Sequence, residues 1–132
     1  MDPQPSVTSH YNAAVDLIER NRTERPRKIA YIDAEGSYTF AEFAERVDRC
    51  ANALTRLGLE MESRIVVALL DTIDFPAVFL GAIKAGIVPI AVNTLLTSAD
   101  FDFMLRDSRA RGLVVSAPLL PVFLPILHEQ NS

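Results

Sequence analysis

The segment that decides the fold runs from Arg64 to Asn93 and reads RIVVALLDTIDFPAVFLGAIKAGIVPIAVN. It contains two unbroken apolar runs, Ile65 to Leu70 and Ile87 to Val92, and neither alternates as a half-exposed strand would. A mostly apolar helical stretch joins them, with Pro76 near its first turn and Gly86 as its C-terminal stop. A helix between two strands buried on both faces makes a right-handed βαβ crossover, so the segment predicts a parallel sheet.

Three elements are predicted before this segment. Apolar residues at helical spacing indicate a short amphipathic helix from Tyr11 to Asn21. The stretches KIAYID and SYTF flank a glycine-containing turn at residues 34–36, which predicts an antiparallel hairpin at an edge. A second helix begins at Thr39, where Thr39 and Glu42 have the spacing of a capping box, and it runs to about Leu57.

Two elements are predicted after it. Thr97 or Ser98 can cap a helix that carries Phe101 inward, and the run from Gly112 to Ala117 indicates a third buried strand. The fold class is therefore α/β: a three-layer βαβαβ parallel sheet, preceded by a helix, a hairpin and a capped helix. We expect residues 1–10 to be a flexible N-terminus and residues 11–132 to form one α/β domain.

Composition excludes several classes of partner. A net charge of -4 over 132 residues gives no general attraction to nucleic acid. The longest charge-free apolar stretch, Gly112 to Leu127, contains three prolines and is shorter than the roughly 20 residues that span a bilayer, so no membrane segment is expected. No secretory signal is visible, and the single cysteine excludes an internal disulfide, which together favour a cytoplasmic location.

That cysteine, Cys50, lies on the apolar stripe of the second helix. Burial in apolar surroundings raises a thiol pKa, and no histidine is near in sequence, so a small core residue is favoured over a nucleophile.

Polar residues follow the first two strands of the parallel sheet, where ligands bind in open α/β sheets. They are Asp71, Thr72 and Asp74 after the first strand and Asn93 and Thr94 after the second. The favoured interpretation is structural: Asp71, Thr72 or Asp74 caps a helix and Asn93 forms a turn. Asp71 with Asp74 is also a weak candidate for a divalent cation site.

The usual catalytic motifs are missing. The two histidines, His10 and His128, stand at opposite ends of the chain, and none of the five glycines belongs to a phosphate-binding G-x-G-x-x-G or G-x-x-x-x-G-K-[ST] motif. The residues alone therefore predict an α/β domain without a catalytic apparatus.

The stretch from Pro118 to Leu127 is apolar and uncharged, with prolines at 118, 121 and 125. The prolines argue against a regular helix, and an exposed apolar patch commonly marks an association surface, so self-association through residues 118–127 is predicted.

Two stretches resemble the N-terminal region of the adenylate-forming acyl-CoA and aryl-CoA synthetases. The first is SYTFAEF at Ser37 to Phe43, followed by Asn52 to Leu54 and Gly58, which is similar to the family's T-Y-x-E-L, N-x-L-A and closing glycine. The second is FLGAIKAG at Phe79 to Gly86 and VPIAVN at Val88 to Asn93, similar to its L-x-x-x-K-A-G-x-x-x-x-P-x-N/D segment.

The chain departs from most of the family at Thr94, where many members have proline. This departure, with LLDTIDFP, AVNTLLTSADF and MLRDSRAR, resembles the benzoate-CoA ligase branch. The resemblance implies a parent enzyme that activates an aromatic carboxylic acid with ATP, Mg and coenzyme A. The family's phosphate loop, aryl and adenine pockets and catalytic lysine would all follow position 132, so the resemblance assigns no catalytic, cofactor or metal residue here. Asn93 and Lys84 match family positions and are expected to be structural, as a turn and a helix end.

Two function classes remain open. One is the N-terminal part of an aryl-CoA ligase, inactive by itself, whose partner is the remainder of the parent polypeptide. The other is a stand-alone, non-enzymatic α/β module that binds a partner through its apolar end.

Overall fold

The computed structural model describes the backbone of residues 11–130 and the side chains of residues 11–127. The expected flexible N-terminus at residues 1–10, with His10, and the side chain of His128 lie outside these residues. The helices are α1 (Ala13–Glu24), α2 (Phe40–Arg56), α3 (Asp74–Lys84), α4 (Ser98–Ser108) and α5 (Leu120–Gln130). The strands are β1 (Ile29–Asp33), β2 (Gly36–Thr39), β3 (Arg64–Ala68), β4 (Val88–Ala91) and β5 (Gly112–Val115).

The predicted parallel sheet is confirmed, with strand order β4-β3-β5. Val67 in the central strand lies opposite Ala91 on one side and Val114 on the other. Burial on both faces holds for β3 alone, since Ile65 to Ala68 are fully buried. It is wrong for β4, where Val88 is 44% exposed, because β4 is an edge strand with a neighbour on one side only.

The hairpin is present, with Tyr31 opposite Tyr38, but it forms a separate two-stranded sheet and not an edge of the parallel one. Before it, α1 begins at Ala13 and extends to Glu24, three residues beyond the predicted end. Its cap is Asn12, which accepts hydrogen bonds from two amides of the first turn at 3.1 Å. The Asn12 amide group also donates to the Ile83 carbonyl at 2.8 Å, so one residue starts α1 and ties it to the end of α3.

The α2 helix begins with the predicted capping box, and α4, for which only a cap was predicted, begins with a capping box as well. The Thr39 hydroxyl accepts from the Glu42 amide at 3.2 Å, and the Glu42 carboxylate accepts from the Thr39 amide at 3.1 Å. Thr97, and not Ser98, caps α4 in the same way with Asp100. The Ser98 hydroxyl instead donates to the Val122 carbonyl at 2.6 Å and joins α4 to α5.

The prediction that prolines prevent a regular helix after Pro118 is wrong. Residues Ala117–Leu119 form a short 3-10 helix, and α5 follows it directly. Pro118 and Pro121 stand in first turns, where the missing N–H needs no partner, and Pro125 alone lies inside the helix. Phe123 and Ile126 are buried against α4 and the sheet, so the chain covers part of this segment itself. Self-association through residues 118–127 stays a prediction.

None of the helices within residues 11–130 is long and apolar enough to cross a membrane.

Candidate functional site

The carboxyl ends of the parallel strands surround two neighbouring hollows. The first has a volume of about 320 Å³ and lies where β3 and β4 end; the second, of about 530 Å³, lies where β3 and β5 end. Both are lined by Leu69 and Leu70, which follow β3 directly. This edge is where an open α/β sheet binds ligands, so it is the candidate site.

The five polar residues expected at this edge are divided between the hollows. Asp71, Asn93 and Thr94 line the first, whereas Thr72 and Asp74 line the second. The structure therefore does not bring Asp71 and Asp74 together in one hollow. Among residues 11–127 no group of three or more histidine, cysteine, aspartate or glutamate side chains is arranged to hold a metal ion.

The start of α3 is fixed by a hydrogen bond to Asp33, which was not among the five polar residues predicted at this edge. Ile73 is the N-cap of α3, and its amide donates to the carboxylate of Asp33 in the hairpin at 3.0 Å. The other carboxylate oxygen accepts from Glu35 and Gly36 in the hairpin turn. The Ile73 hydrogen bond is the main reason that the pKa of Asp33 lies below its ordinary value. Asp33 thus fixes the loop after β3 to the separate hairpin.

The prediction that Asp71, Thr72 or Asp74 caps α3 is wrong, because no side chain caps this helix at its N-cap residue, Ile73. The Thr72 hydroxyl makes a local bond instead and accepts from the Asp74 amide at 3.3 Å. The Asp74 carboxylate instead lies 3.6 Å from the guanidinium of Arg46, which is stacked over the Tyr38 ring at 5.0 Å from the centroid. Asp71 is exposed. The structural interpretation therefore fits Thr72 and Asp74, though in different roles.

At the end of β4, the Asn93 side chain accepts from the Leu95 amide at 2.9 Å, which confirms the predicted turn. Ser116 follows β5, and its hydroxyl accepts a hydrogen bond from the Leu70 amide at 2.9 Å, which fixes the backbone just after β3. Ser116 was missed, although the strand-end rule that selects Asp71 and Asn93 selects it too. Asp33 had no such signal, because its partner is 40 residues away.

Lys84 lies in the last turn of α3, as expected, and also forms an ion pair with Asp48 of α2. Arg22 of α1 approaches the same carboxylate at 2.8 Å, so one aspartate joins three helices. Burial opposes ionisation of Asp48, but the hydrogen bonds from Lys84 and Arg22 outweigh it and hold its pKa below the ordinary value. Lys84 is therefore structural in this part of the chain.

Cys50 behaves as a packing residue. It is half-buried, and burial, with a smaller effect of the Asp74 charge, raises the pKa of its thiol. A methyl group placed on Gly81 would come within 2.7 Å of the Cys50 Cβ, which shows how closely α3 approaches α2 there. The thiol is thus suited to filling a narrow helix contact and not to nucleophilic chemistry.

The charges at the candidate site are of one sign. Asp71 stands at the first hollow and Glu35 and Asp74 at the second, and the described residues that line the two include no lysine, arginine or histidine. Asp74 is paired with Arg46 at 3.6 Å, and the lining residues themselves offer no further cation to a bound phosphate or carboxylate.

Comparison with known proteins identifies the family. Residues 18–131 match the family described as AMP-binding enzyme. The benzoate–CoA ligase of Thauera aromatica is 56% identical over 129 residues, covering 96% of this chain and 24% of that protein. The 4-hydroxybenzoate–CoA/benzoate–CoA ligase of Rhodopseudomonas palustris is 49% identical over 113 residues, covering 85% of this chain and 21% of the relative.

A solved structure agrees with this match. The benzoate CoA ligase from Burkholderia xenovorans LB400 superposes with a TM-score of 0.85 at 45% identity, over 89% of this chain and 24% of that one. The chain thus spans about a quarter of the length of the relatives it matches. On the match over residues 18–131, the chain belongs to the AMP-binding enzyme family.

Proposed function

We propose that this chain is the N-terminal part of an ATP-dependent aryl-CoA ligase whose acid substrate is benzoate or a close analogue. The observation that carries the proposal is 56% identity to a benzoate–CoA ligase over 96% of the chain. Relatives named as long-chain-fatty-acid–CoA ligases are more distant, at 31% identity or less. The difference favours an aromatic acid over a fatty acid.

In the proposed reaction the carboxylate of the acid displaces pyrophosphate from ATP and forms an aryl-adenylate. The thiol of coenzyme A then displaces AMP and forms the thioester. The hollows at the sheet edge are lined by no lysine, arginine or histidine among the described residues, which supports a scaffold role for this part and chemistry in the remainder of the enzyme.

A chimera tests the proposal. The matched segment of the Thauera aromatica ligase is replaced by this chain, and benzoyl-CoA formation is followed with benzoate, ATP and coenzyme A. We expect activity within about tenfold of the natural ligase, which corresponds to a change of about 1.4 kcal/mol in the activation free energy. The reason is that a scaffold with a matching core and length should leave the active site of the ligase in place. The matched control chimera carries the equivalent segment of the Mycobacterium tuberculosis ligase FadD13, which is 31% identical to this chain.

A folded chimera without activity, beside an active control, would refute the proposal. It would favour the alternative of a non-enzymatic interaction module.

The isolated chain should be inactive. Homogeneous protein of confirmed mass should catalyse no benzoate-dependent exchange between pyrophosphate and ATP, because the described residues hold no phosphate-binding group at the sheet edge. Exchange above the rate without benzoate would contradict this expectation.

A further inference from the structure

The segment from Leu69 to Asp74, which joins β3 to α3, is not held in place by its own sequence. No side chain caps α3 at its N-cap residue, Ile73. Within the segment the Thr72 amide donates to the Leu70 carbonyl at 2.8 Å, and this bond between near neighbours shapes a turn without fixing it to the rest of the fold. Because the segment borders both hollows at the sheet edge, whatever fixes it also shapes the candidate site.

Two side chains from distant parts of the chain hold the segment. The Ser116 hydroxyl, after β5, accepts from the Leu70 amide at 2.9 Å. The Asp33 carboxylate, in the hairpin, accepts from the Ile73 amide at 3.0 Å, and this is the stronger kind of bond because its acceptor is charged. Asp71 lies between the two held amides, is exposed and borders the first hollow.

The hairpin that carries Asp33 is itself docked on the helices. Tyr31 and Tyr38 pack against a buried cluster with members from α1, α2 and α3. The cluster consists of Ile18, Phe43, Ala44, Val47, Ile73 and Ala77. Since Ile73 belongs to it, the bond from the Ile73 amide to Asp33 lies beside apolar contacts that keep the hairpin in place. The carboxylate is therefore a fixed point for the segment after β3.

The two oxygens of Asp33 have separate partners. One accepts from the amides of Glu35 and Gly36 in the hairpin turn, at 2.9 and 3.1 Å, and the other accepts from Ile73. An asparagine has one acceptor oxygen and one donor group, so it satisfies either the turn or Ile73. Its oxygen should stay with the turn, which offers two amides and is a conformation that asparagine favours. Asp33→Asn should therefore sever the bond to Ile73 and leave the turn intact.

We propose that Asp33 is a positioning residue of the ligase, which acts through the Ile73 amide to hold the segment from Leu69 to Asp74 in the shape that substrate binding requires. The inference rests on the proposed function. Asp33 lines neither hollow, so its effect on a substrate passes through the segment. The lining is mostly apolar and includes no lysine, arginine or histidine, so the substrate group that suits it is an uncharged one.

Kinetics of the Thauera chimera test the proposal. The KM values for benzoate, ATP and coenzyme A are measured separately, with kcat, in the chimera and in its Asp33→Asn variant. The KM of one substrate should rise by about tenfold, while the other two KM values and kcat change by less than about threefold, because a shifted segment weakens binding and not the chemical step. The affected substrate is the one whose uncharged group lies at the sheet edge. Ser116→Ala, which releases the other end of the segment, should raise the same KM.

Gly36→Ala is the matched control. It strains the hairpin turn, where Gly36 has a φ of +156°, but it keeps the Asp33 carboxylate, so the hairpin is weakened without loss of the bond to Ile73. Its KM values should equal those of the unsubstituted chimera. Amide hydrogen exchange on the isolated chain checks the bond itself. The Ile73 amide should exchange at least about tenfold faster in Asp33→Asn than in wild type, and close to the wild-type rate in Gly36→Ala.

Other outcomes overturn the proposal. Unchanged KM values in Asp33→Asn, or equal changes in Asp33→Asn and Gly36→Ala, mean that Asp33 serves the stability of the hairpin alone. A lower kcat with constant KM values means that it does not act on binding. If the Asp33→Asn chimera fails to fold, Ser116→Ala carries the kinetic test and unchanged KM values in it overturn the proposal.

Failure of the proposed function has a different signature. A folded chimera without substitutions that is inactive beside the active control refutes the proposed function. Amide exchange then decides the role of Asp33 by itself, and an Ile73 amide that exchanges as slowly in Asp33→Asn as in wild type overturns it.

Discussion

The two faces of the parallel sheet are packed by opposite means. Ile65, Val67 and Leu69 of the β3 segment face α2 and α3, whereas Val66 and Ala68 face α4 and α5. On the first face, a glycine brings two helix backbones together. On the second, two aromatic rings fill the space between the helices. The faces should therefore fail under different substitutions, the first when a side chain is enlarged and the second when one is removed.

On the α2–α3 face the decisive residue is Gly81. A Cβ there would lie 3.0 Å from the Ala51 amide nitrogen and 3.0 Å from the Val47 carbonyl oxygen, both backbone atoms that cannot rotate away. On the α4–α5 face Phe101 and Phe123 are stacked with centroids 4.3 Å apart, and each is almost completely buried.

Truncation of Phe123 should have the largest effect. Phe123→Ala removes a fully buried ring and the stacking contact that this ring makes with Phe101. The free energy of unfolding should therefore fall by about 3 to 5 kcal/mol. Urea unfolding measures it. The control is Leu124→Ala on the same helix, where the side chain is 47% exposed and the loss should stay below about 1 kcal/mol. Equal losses would mean that α5 does not dock through Phe123.

Enlargement of Gly81 is the corresponding test of the other face. Alanine favours a helix over glycine by about 1 kcal/mol, but the added methyl group overlaps backbone atoms, so Gly81→Ala should still destabilise by about 1 to 3 kcal/mol. The reverse change at an exposed site of α2, Ala53→Gly, reports propensity alone and should cost about 1 kcal/mol. A stabilising Gly81→Ala would show that α2 and α3 can move apart freely.

The two faces also differ in how far the sequence predicts them. The capping box at Thr39, a cap at Thr97 or Ser98, the stop at Gly86 and the parallel pairing follow from signals a few residues long, and all were confirmed. The α5 helix was not predicted, because proline propensity is local and the burial of Phe123 that outweighs it is tertiary.

Prediction of the candidate site divides in the same way. The strand-end rule located the edge and the hollows, and the Asn93 turn was confirmed. The Asp33 bond to Ile73 and the Asp48 pairs with Arg22 and Lys84 join positions 26 to 40 residues apart, so they depend on how helices and hairpin pack. No local pattern carries that information.

On the α2–α3 face, the ion pairs of Asp48 with Arg22 and Lys84 link the helices. On the α4–α5 face, the helices are linked by the uncharged hydrogen bond from Ser98 to Val122. Asp48→Asn should lower stability at pH 7 by about 1 to 2 kcal/mol, a charged hydrogen-bond value reduced for partial exposure. Because the folded pKa of Asp48 is depressed below 3.8, its contribution is present above that pH and is lost as pH falls through the folded pKa.

The difference between wild type and Asp48→Asn should therefore be constant near neutral pH and shrink at pH values below about 4. Denaturant unfolding across that range measures it. Asp16→Asn, which removes an exposed ion pair with Arg20 within α1, is the matched control and should change stability by less than about 1 kcal/mol. A difference that does not change with pH would show that shape, and not charge, is what Asp48 supplies.

The smallest expected effect should be the same on both faces. Thr39 caps α2 and Thr97 caps α4, and each hydroxyl accepts one amide of the first turn, at 3.2 and 3.3 Å. Thr39→Ala and Thr97→Ala should each lower the denaturant midpoint by the equivalent of about 1 kcal/mol with an unchanged m value, because a cap is a local bond. Thr55→Ala on α2, whose hydroxyl bonds within its own helix, is the control for loss of a hydroxyl alone. If Thr39→Ala costs much more than Thr97→Ala, the α2 cap supports the tight contact at Gly81, and the two faces differ in their caps as well as in their packing.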